Sequence, residues 1–412
     1  MENSQGENSQ GENSLDSFIL EPLPGGEEPQ TRTLTPVFTG SGGEYFRIWI
    51  VNVALTVLTL GIYAAWAKVR TRRYFYANTV LDGQPFDYLA RPGAILRGYL
   101  IVGSTLLVMN FLNNFVPRFG TLFSAAALSC VPYLLYKAHR FKARYSAYRN
   151  VRFLFSGSVS GAYKAYILFP LAGAFSVFFM FAVPFDPPSE PGMIDGPGGA
   201  ILGLIVLSSL VLFASYPYFV FLQRRYFHDN MAYGKTDSSF SGRLGPFYGI
   251  YVSASFMTLI AGIFGALIMG TTGKFLGDVF AGMGDGRFKV GAIGAIVLTY
   301  IFFTLLFVFI QQYVFAETFN YSWKRSKLGP IPFDVKLRAR DLAWIRFSNL
   351  LAIFLSLGLL IPWAKVRRTK YVLSKTDILF RGDMEAFEAD TAADVGAVGD
   401  TAADFFDWDI GW

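Results

Sequence analysis

Residues 58–70 read LTLGIYAAWAKVR, and residues 355–367 read LSLGLLIPWAKVR. An offset of 297 (363 − 66) aligns Trp66 with Trp363 and Gly61 with Gly358. Without any gap, the same offset produces further matches outside these stretches: Glu44 with Asp341, Asn52 with Asn349, Tyr74 with Tyr371 and Thr79 with Thr376. Since chance does not produce such an alignment, the two ends of the chain carry copies of one structural repeat.

A looser unit recurs between the two copies. Basic and aromatic stretches follow the apolar segments, and each leads into a short β-prone segment that ends at a phenylalanine. These phenylalanines are Phe86, Phe155, Phe240, Phe333 and Phe380, and Phe38 opens the series. Segments such as NTVLDGQPFDY, with its Asp82-Gly83 turn signal, predict short strands that pair into a small sheet on one membrane face.

The composition indicates a membrane protein. The 412 residues are 53% hydrophobic and only 16% charged, whereas soluble domains carry about a quarter charged residues. Six apolar segments reach the roughly 20 residues that cross a bilayer core. They cover about residues 97–115, 119–136, 165–185, 199–222, 247–270 and 290–315. Two further apolar segments, 48–66 and 347–363, contain the two repeat copies.

Charge and parity predict the topology. Residues 45–382 carry 35 basic and 13 acidic residues, and 31 of the bases lie in the loops on the side that holds the WAKVR motifs. Because Lys and Arg stay in the cytoplasm, these loops are predicted to be cytoplasmic. If all eight apolar segments crossed fully, the two WAKVR copies would face opposite compartments. We therefore predict that both outer segments are re-entrant or interfacial, with re-entrant backbone covered by protein or facing water.

The predicted fold is thus an all-α integral membrane protein. It has about six full transmembrane helices, two related re-entrant or interfacial segments and short cytoplasmic β-strands, with both termini in the cytoplasm. An alternative lets the first segment cross, which gives seven spans and an N-terminus outside.

The chain divides into three regions by composition. Residues 1–35, with the repeated ENSQG pentamer, are predicted to be a disordered acidic low-complexity tail. Residues 36–382 form the multi-pass membrane domain. Residues 383–412 hold nine acids and no base, and end in FFDWDIGW, where acids alternate with aromatics. This second tail is predicted to be disordered and solvating; the alternative is a docking peptide for a partner.

Several of these stretches resemble a known family. EYFRIWIVN, LTLGIYAAWAKVR and NTVLDGQPFDY near the start, and LRARDLAWIRFSNLLAIFLSLGLLIPWAKVRRTKY near the end, are similar to the YjgN family of bacterial inner-membrane proteins. The resemblance covers about residues 36–382. It implies a multi-pass protein of the inner membrane in a family defined as a domain of unknown function, and it brings no catalytic residues with it.

Polar residues within or near the apolar segments are the first candidates for a site, because an uncompensated polar group in lipid is costly. Candidate pathway or packing residues are Asn52, Asn349, Gln311, Gln312 and Glu317. Glu317 is the acid expected to reach membrane depth, where it could pair with Arg47 or Arg346. An ordinary interhelical hydrogen bond or headgroup salt bridge is the favoured interpretation, and a pathway is the alternative.

The WAKVR cations are the second candidates. Lys68, Arg70, Lys365 and Arg367 are predicted to contact anionic lipid at the cytoplasmic face. Simple anchoring of helices at the interface explains most of the basic and aromatic runs equally well. The two histidines, His139 and His228, are predicted to contact headgroups instead of a metal ion.

The sequence favours two classes of function. No catalytic, cofactor-binding or metal-binding motif is present, so we expect no enzyme activity and no cofactor. The bases lie in short loops between spans, which argues against nucleic-acid binding. Transport of a small solute is the first hypothesis, and a non-catalytic scaffold or regulator that binds anionic lipids or partner proteins is the second. Protein partners and homo-oligomer formation are left open.

Overall fold

The computed structural model describes residues 31–182, 197–280 and 285–381, where strand pairs alternate with helix pairs. The strands are β1 (Thr31–Leu34), β2 (Val37–Phe38), β3 (Thr79–Leu81), β4 (Gln84–Tyr88), β5 (Ser146–Tyr148), β6 (Val151–Phe155), β7 (Met231–Tyr233), β8 (Thr236–Phe240), β9 (Ser326–Leu328), β10 (Ile331–Val335) and β11 (Thr376–Arg381). The helices are α1 (Gly42–Leu58), α2 (Ala64–Ala77), α3 (Pro92–Phe115), α4 (Pro117–Tyr145), α5 (Val159–Ala165), α6 (Leu168–Ala182), α7 (Pro197–Asp229), α8 (Leu244–Phe280), α9 (Asp285–Lys324), α10 (Ala339–Leu355) and α11 (Ile361–Leu373). The predicted tail at 383–412 and residues 1–30 of the first tail lie outside these ranges.

Four hairpins connect the helix pairs. The predicted turn at Asp82-Gly83 is present, and both residues have positive φ, 47° and 76°, as two-residue hairpin turns require. The second strand of each hairpin pairs first within its own hairpin and then with the next one. In β4, Gln84 pairs with Leu81 of β3, and Phe86 pairs with Tyr148 of β5. The hairpins therefore join into one antiparallel sheet.

The sheet closes on itself. Its strand order runs β1-β11-β10-β9-β8-β7-β6-β5-β4-β3-β2, so β1 and β2 are the two edges. Laid flat, eleven strands would separate these edges by about 48 Å at 4.8 Å per strand. Only Thr35 and Pro36 connect β1 to β2, however, and this connection spans at most about 11 Å. The sheet must therefore curl into a ring.

The two ends of the described chain form the fifth antiparallel strand pair of this ring. β1 pairs antiparallel with β11, from Thr31 opposite Arg381 to Leu34 opposite Ile378. The helices close in the same place, because α11 packs against α1. Gly42 at the start of α1 permits this approach, since a Cβ there would lie 3.2 Å from the side chain of Trp363. The strands β1 and β11 and the helices α1 and α11 thus meet at one place, which we call the seam.

Apolar side chains from all five strand pairs line the interior of the ring. The buried cluster consists of Leu34, Leu81, Tyr148, Tyr233, Ile331 and Phe380. Two of its tyrosines also bond to the corresponding residue of the preceding hairpin. The hydroxyl of Tyr148 donates to the carbonyl of Leu81, and that of Tyr233 donates to the carbonyl of Tyr148, each at 2.8 Å. The ring interior is therefore a core that fixes the register between successive hairpins.

A tyrosine five residues before the next strand ties each returning helix to the start of its outgoing partner. The hydroxyl of Tyr74 accepts from the backbone N–H of Ser41 at 3.0 Å, and those of Tyr321 and Tyr371 accept from Arg243 and Arg338 at 2.7 and 3.1 Å. Tyr226 donates to the carbonyl of Ser158 at 2.9 Å. The three bonds from Ser41, Arg243 and Arg338 satisfy backbone N–H groups that helix starts leave unpaired. In the α3–α4 pair the equivalent residue is Phe141, which is buried and has no hydroxyl to form such a bond.

Each helix pair leaves one strand of the ring and returns to the next, so the ring lies at one end of all the helices. Among the described residues, five helices are long and apolar enough to cross a membrane: α3, α4, and the segments Val206–Asp229, Leu244–Gly270 and Thr299–Lys324 of α7, α8 and α9. α5 and α6 form a pair bent by 64° that makes a sixth if it is one span. The prediction of a helical multi-pass protein is confirmed at this level.

The two outer apolar segments are helical hairpins. α1 and α10 have 17 residues each, and the chain reverses directly after them. The reversals use residues in the left-handed region at equivalent positions, Leu60 and Gly61 in the first copy and Leu357 and Gly358 in the second. Both copies of WAKVR therefore begin helices that return to the ring, and both lie on its side of the molecule.

Two parts of the sequence prediction need correction. The strands form one ring of eleven, where an all-α fold with a small sheet was predicted. The residues assigned to the first tail, 1–35, include β1, which is paired along its whole length with β11. The described fold therefore includes Thr31–Leu34. Both errors have the same cause, because pairing between distant short strands leaves little trace in local sequence.

The seam provides a test of ring closure. Deleting residues 1–30 keeps β1, so we expect no loss of stability, whereas deleting residues 1–36 removes one of the two strands that pair with β11. About four backbone hydrogen bonds are then lost, which should lower the free energy of unfolding by about 2–4 kcal/mol. Denaturant titration of both proteins in the same detergent measures the difference. Equal stability of the two truncations would show that the ring does not depend on β1.

Candidate functional site

The two repeat asparagines hold the helical hairpins together. The side-chain amide of Asn52 donates to the carbonyl of Ala67 at 3.3 Å, and that of Asn349 donates to Ala364 at 3.1 Å. Both asparagines are buried. Because each bond joins the outgoing helix to the returning one, the predicted packing role fits the position of both residues.

The two copies differ in how the arginine of WAKVR is used. Arg367 donates to the hydroxyl of Ser348 at 2.6 Å and to Oδ1 of Asn349 at 3.3 Å. The residue of the first copy that corresponds to Ser348 is Val51, which has no hydroxyl. Arg70, which corresponds to Arg367, is exposed. The Oδ1 atom of Asn52 is buried without a hydrogen-bond partner. Arg367 is therefore an internal structural group, while Arg70 faces the surroundings.

A pocket opens beside the second copy, between α9, α10 and α11. Its volume is about 170 Å³. It combines polar and apolar walls, and its lining residues are Gln312, Leu342, Ile345, Arg346, Asn349, Leu350, Ile353, Ile361, Ala364, Lys365 and Arg368. We call it the cationic pocket, because three of these residues are basic and none is acidic.

The polar wall gathers charges of one sign. The guanidinium of Arg346 is close enough to that of Arg368 to repel it. Nε of Arg368 is buried without a hydrogen-bond partner, and its guanidinium lies 5.1 Å from the ring of Phe315. Nζ of Lys365 lies 5.0 Å from the ring of Phe75, across the seam. Like charges held together in a partly buried site favour the binding of an anion.

The amides of the pocket come from two helices. Gln312 on α9 is buried, and no hydrogen bond to another described residue holds its side chain. Asn349 on α10 contributes its amide from the opposite wall. The Asn349 amide already bonds to Ala364 and Arg367. An amide can donate to an anion or accept from a hydroxyl, so the side chain of Gln312 adds hydrogen-bonding capacity to the three cations.

The other wall is apolar and reaches the surface. Leu350 and Ile361 line the pocket and are 39% and 38% exposed. Ile353 lies between them and is half-buried. The pocket thus has a cationic interior and an apolar margin on the outer surface of the helices. This combination matches a ligand with an anionic group attached to an apolar chain.

The structure brings together some of the predicted residues and separates others. Gln312, Asn349 and Lys365 share the cationic pocket. Gln311 is exposed, outside the pocket lining. Glu317 is half-buried, and among the described residues it forms no ion pair with Arg47 or Arg346. Asn52, Lys68 and Arg70 belong to the first copy, where Nζ of Lys68 lies 5.9 Å from the ring of Tyr99.

Arg346 and Arg368 complete the pocket, although neither belongs to a motif that predicts a site residue. The offset of 297 places Trp49 and Thr71 at the corresponding positions of the first copy. A search for charged residues that break the repeat would have found both arginines. The first copy therefore lacks the charges that define the cationic pocket.

The histidines lie inside the fold. His228 is 4% exposed, and its Nδ1 bonds with the hydroxyl of Ser326 at 2.9 Å. Nε2 of His139 bonds with the hydroxyl of Tyr166 at 2.8 Å. The predicted headgroup contact is therefore wrong for His228, which packs between helix ends and strands. Within the described ranges, no group of three His, Cys, Asp or Glu residues could hold a metal ion.

Comparisons with known proteins agree with the membrane fold. Residues 33–405 match the family described as "Bacterial protein of unknown function (DUF898)". The chain is 25% identical to the "Inner membrane protein YjgN" of Salmonella typhimurium over 382 residues, covering 86% of this chain and 90% of that protein. It is 32% identical over 148 residues to the protein of the same name from Escherichia coli O157:H7, covering 35% and 37% of the two chains. No solved structure matches the chain.

The paired asparagines give a matched test of the helical hairpins. Replacing Asn349 with Leu removes the bond to Ala364 and one partner of the Arg367 guanidinium, which should cost about 1–3 kcal/mol. Replacing Asn52 with Leu removes one bond together with a buried oxygen that has no partner, so we expect a smaller loss. Thermal unfolding of the two variants in detergent compares them. A larger loss for Asn52→Leu would contradict this account.

Proposed function

The chain belongs to the DUF898 family, whose curated YjgN relatives are inner membrane proteins, and from this premise we propose that it binds an anionic phospholipid in the cationic pocket. The chain is itself a multi-pass protein of the inner membrane. In this proposal the phosphate group occupies the polar wall, and the acyl chains lie along the apolar margin. The function is that of a non-catalytic lipid-binding scaffold or regulator.

One observation carries the proposal. Arg346, Lys365 and Arg368 line one small pocket, and none of the described residues that line it is acidic. Hydrogen bonds to charged groups contribute about 1.5–3 kcal/mol each, and an anion in the pocket would also offset the repulsion between Arg346 and Arg368. A fully soluble anion would gain nothing from Leu350 and Ile361 at the margin, which is why the proposal favours a lipid.

The proposal includes an orientation. Of the 35 bases in residues 45–382, 31 lie in the loops on the ring side, which supports a cytoplasmic ring. Because β1 and β11 pair, the two ends of the described chain are on that side as well. α5 and α6 then form one bent span, giving six, and the α1–α2 and α10–α11 hairpins enter the membrane and return. The cationic pocket would lie in the cytoplasmic leaflet, where anionic lipids attract basic side chains.

Transport of a solute is the second candidate. Its support is the buried Oδ1 of Asn52, a polar atom without a partner inside a helical hairpin. Such atoms in membrane proteins can mark a pathway. Solute flux through the purified protein in liposomes, abolished by a substitution at Asn52 or Glu317, would favour transport over lipid binding.

Matched substitutions in the two WAKVR copies test lipid binding. The double variant Lys365→Gln, Arg368→Gln removes two charges of the cationic pocket, and Lys68→Gln, Arg70→Gln removes two charges from the first copy. We expect the first variant to weaken binding of phosphatidylglycerol by roughly 100-fold or more, because each of the two lost charge-assisted contacts contributes about 1.5–3 kcal/mol. Native mass spectrometry of the delipidated protein, titrated with the lipid, measures the affinity.

Two controls complete this experiment. Phosphatidylcholine should bind weakly to all three proteins, because its headgroup has no net charge. Glycerol phosphate, which carries the anion without acyl chains, should compete poorly with the lipid. Equal weakening by both double variants would overturn the assignment to the cationic pocket. Full competition by glycerol phosphate would reassign the pocket to a soluble anion.

A further inference from the structure

The interior of the ring contains a second, apolar cavity of about 330 Å³. It lies among side chains of the hairpins and of the helix ends below them. Its walls include Phe86 and Phe153 on one side and Phe319, Trp323 and Leu373 on the other. No charged residue lines it, and the hydroxyls of Tyr148 and Tyr233 at its wall already donate to backbone carbonyls. An apolar occupant would therefore fit, and a polar one would find few partners.

The volume of the cavity indicates how many apolar side chains it can hold. An apolar cavity of about 150 Å³ in another protein holds one benzene molecule. By this comparison the ring interior holds about two aromatic rings.

The chain itself supplies a matching segment. Residues 405–412 read FFDWDIGW, and along an extended strand side chains alternate between two faces. One face would then carry Phe406, Trp408, Ile410 and Trp412, while the other would carry Phe405, Asp407, Asp409 and Gly411. In an extended conformation this sequence would present three aromatic side chains on one face and both acids on the other. We propose that the C-terminal segment 405–412 folds back and places aromatic side chains of this face inside the ring.

The position of the chain end supports an intramolecular contact. The segment that follows β11 has 31 residues (412 − 381), and β11 itself lines the cavity with Thr376, Ile378 and Phe380. The 24 residues from 382 to 405 span about 25–29 Å as a flexible chain, whereas the ring is of the order of 15–20 Å across. The effective concentration of the segment at the cavity is therefore in the millimolar range.

Charge supports the same occupant. Residues 383–412 contain nine acids and no base. Lys370 and Lys375 are exposed beside Leu373 and Thr376 of the cavity wall, and neither forms an ion pair with a described residue. Asp407 and Asp409 can face these lysines while the aromatic side chains enter the ring. An acyl chain is the less favourable occupant, because it would have to leave the apolar surface of the helices and pass the charged side chains of Lys370 and Lys375.

Cysteine cross-linking tests the proposal in the full-length protein. Cys130 is the single native cysteine, and Cys130→Ser gives a background for pairs of introduced cysteines. Phe153 lines the cavity and lies on the far side of the ring from β11 in the strand order, so a segment must enter the ring to contact its side chain. We expect Trp408→Cys to form a disulfide with Phe153→Cys under mild oxidation. Asp407→Cys, on the opposite face of the segment, should form it about tenfold less.

The outcomes separate the possible occupants. A cross-linked species of twice the chain mass would assign the cavity to the tail of a second copy and overturn the intramolecular contact. Equal yields for Trp408→Cys and Asp407→Cys, or no cross-link for either, would overturn the proposal.

A second measurement covers a poorly folding Phe153→Cys variant. Ending the chain at residue 390 should increase maleimide labelling of Leu373→Cys by about tenfold, because the cavity loses its occupant. Unchanged labelling would also overturn the proposal. A lipid found in the ring of both the full-length and the shortened chain would assign the cavity to an acyl chain instead.

Discussion

Backbone pairing between β1 and β11 is the constraint on which the rest of the structure depends. A sheet edge leaves N–H and C=O groups unpaired, and an open sheet of eleven short strands would expose two such edges. The pairing of β1 with β11, together with the two-residue connection from β1 to β2, brings these edges close together. The ring then fixes where every helix pair starts and ends, so the helices follow one another around it in chain order. The contact of α11 with α1, and the position of Lys365 beside Phe75, follow from this closure.

The sequence contains the repeat but only part of the ring. The ungapped offset between the two WAKVR copies predicts two equivalent helical hairpins, since each copy has glycine at the reversal and asparagine at the contact between the helices. The strands are harder to predict, because they are two to six residues long and most of their partners are distant in sequence. Asp82-Gly83 is a clear turn signal, whereas Arg149-Asn150 adopts the same left-handed geometry with a weaker one. β1 follows a low-complexity stretch, and its role becomes visible only when β11 lies beside it.

The candidate site was partly accessible from the sequence. Polar residues in apolar segments are selected by their cost in lipid, and this criterion found Gln312 and Asn349. It could not separate Gln312 from its neighbour Gln311, because one is buried and the other exposed according to how α9 packs. Arg346 and Arg368 carry a different signal. They replace Trp49 and Thr71 of the first copy, so they appear as departures from the repeat and not as members of a motif.

These departures are informative because comparing the two copies of the repeat distinguishes residues that both copies need for folding from residues that only one copy has. A position that is the same in both copies, such as Asn52 and Asn349, meets a need common to both, and here that need is to join two helices. A charge that is present in only one copy is not required to join the two helices. Arg368 leaves a buried Nε without a partner and sits near the like charge of Arg346, so both features reduce stability. Proteins depart from local rules mainly at functional sites. The destabilising cluster in one of two otherwise equivalent hairpins is therefore where a ligand is expected.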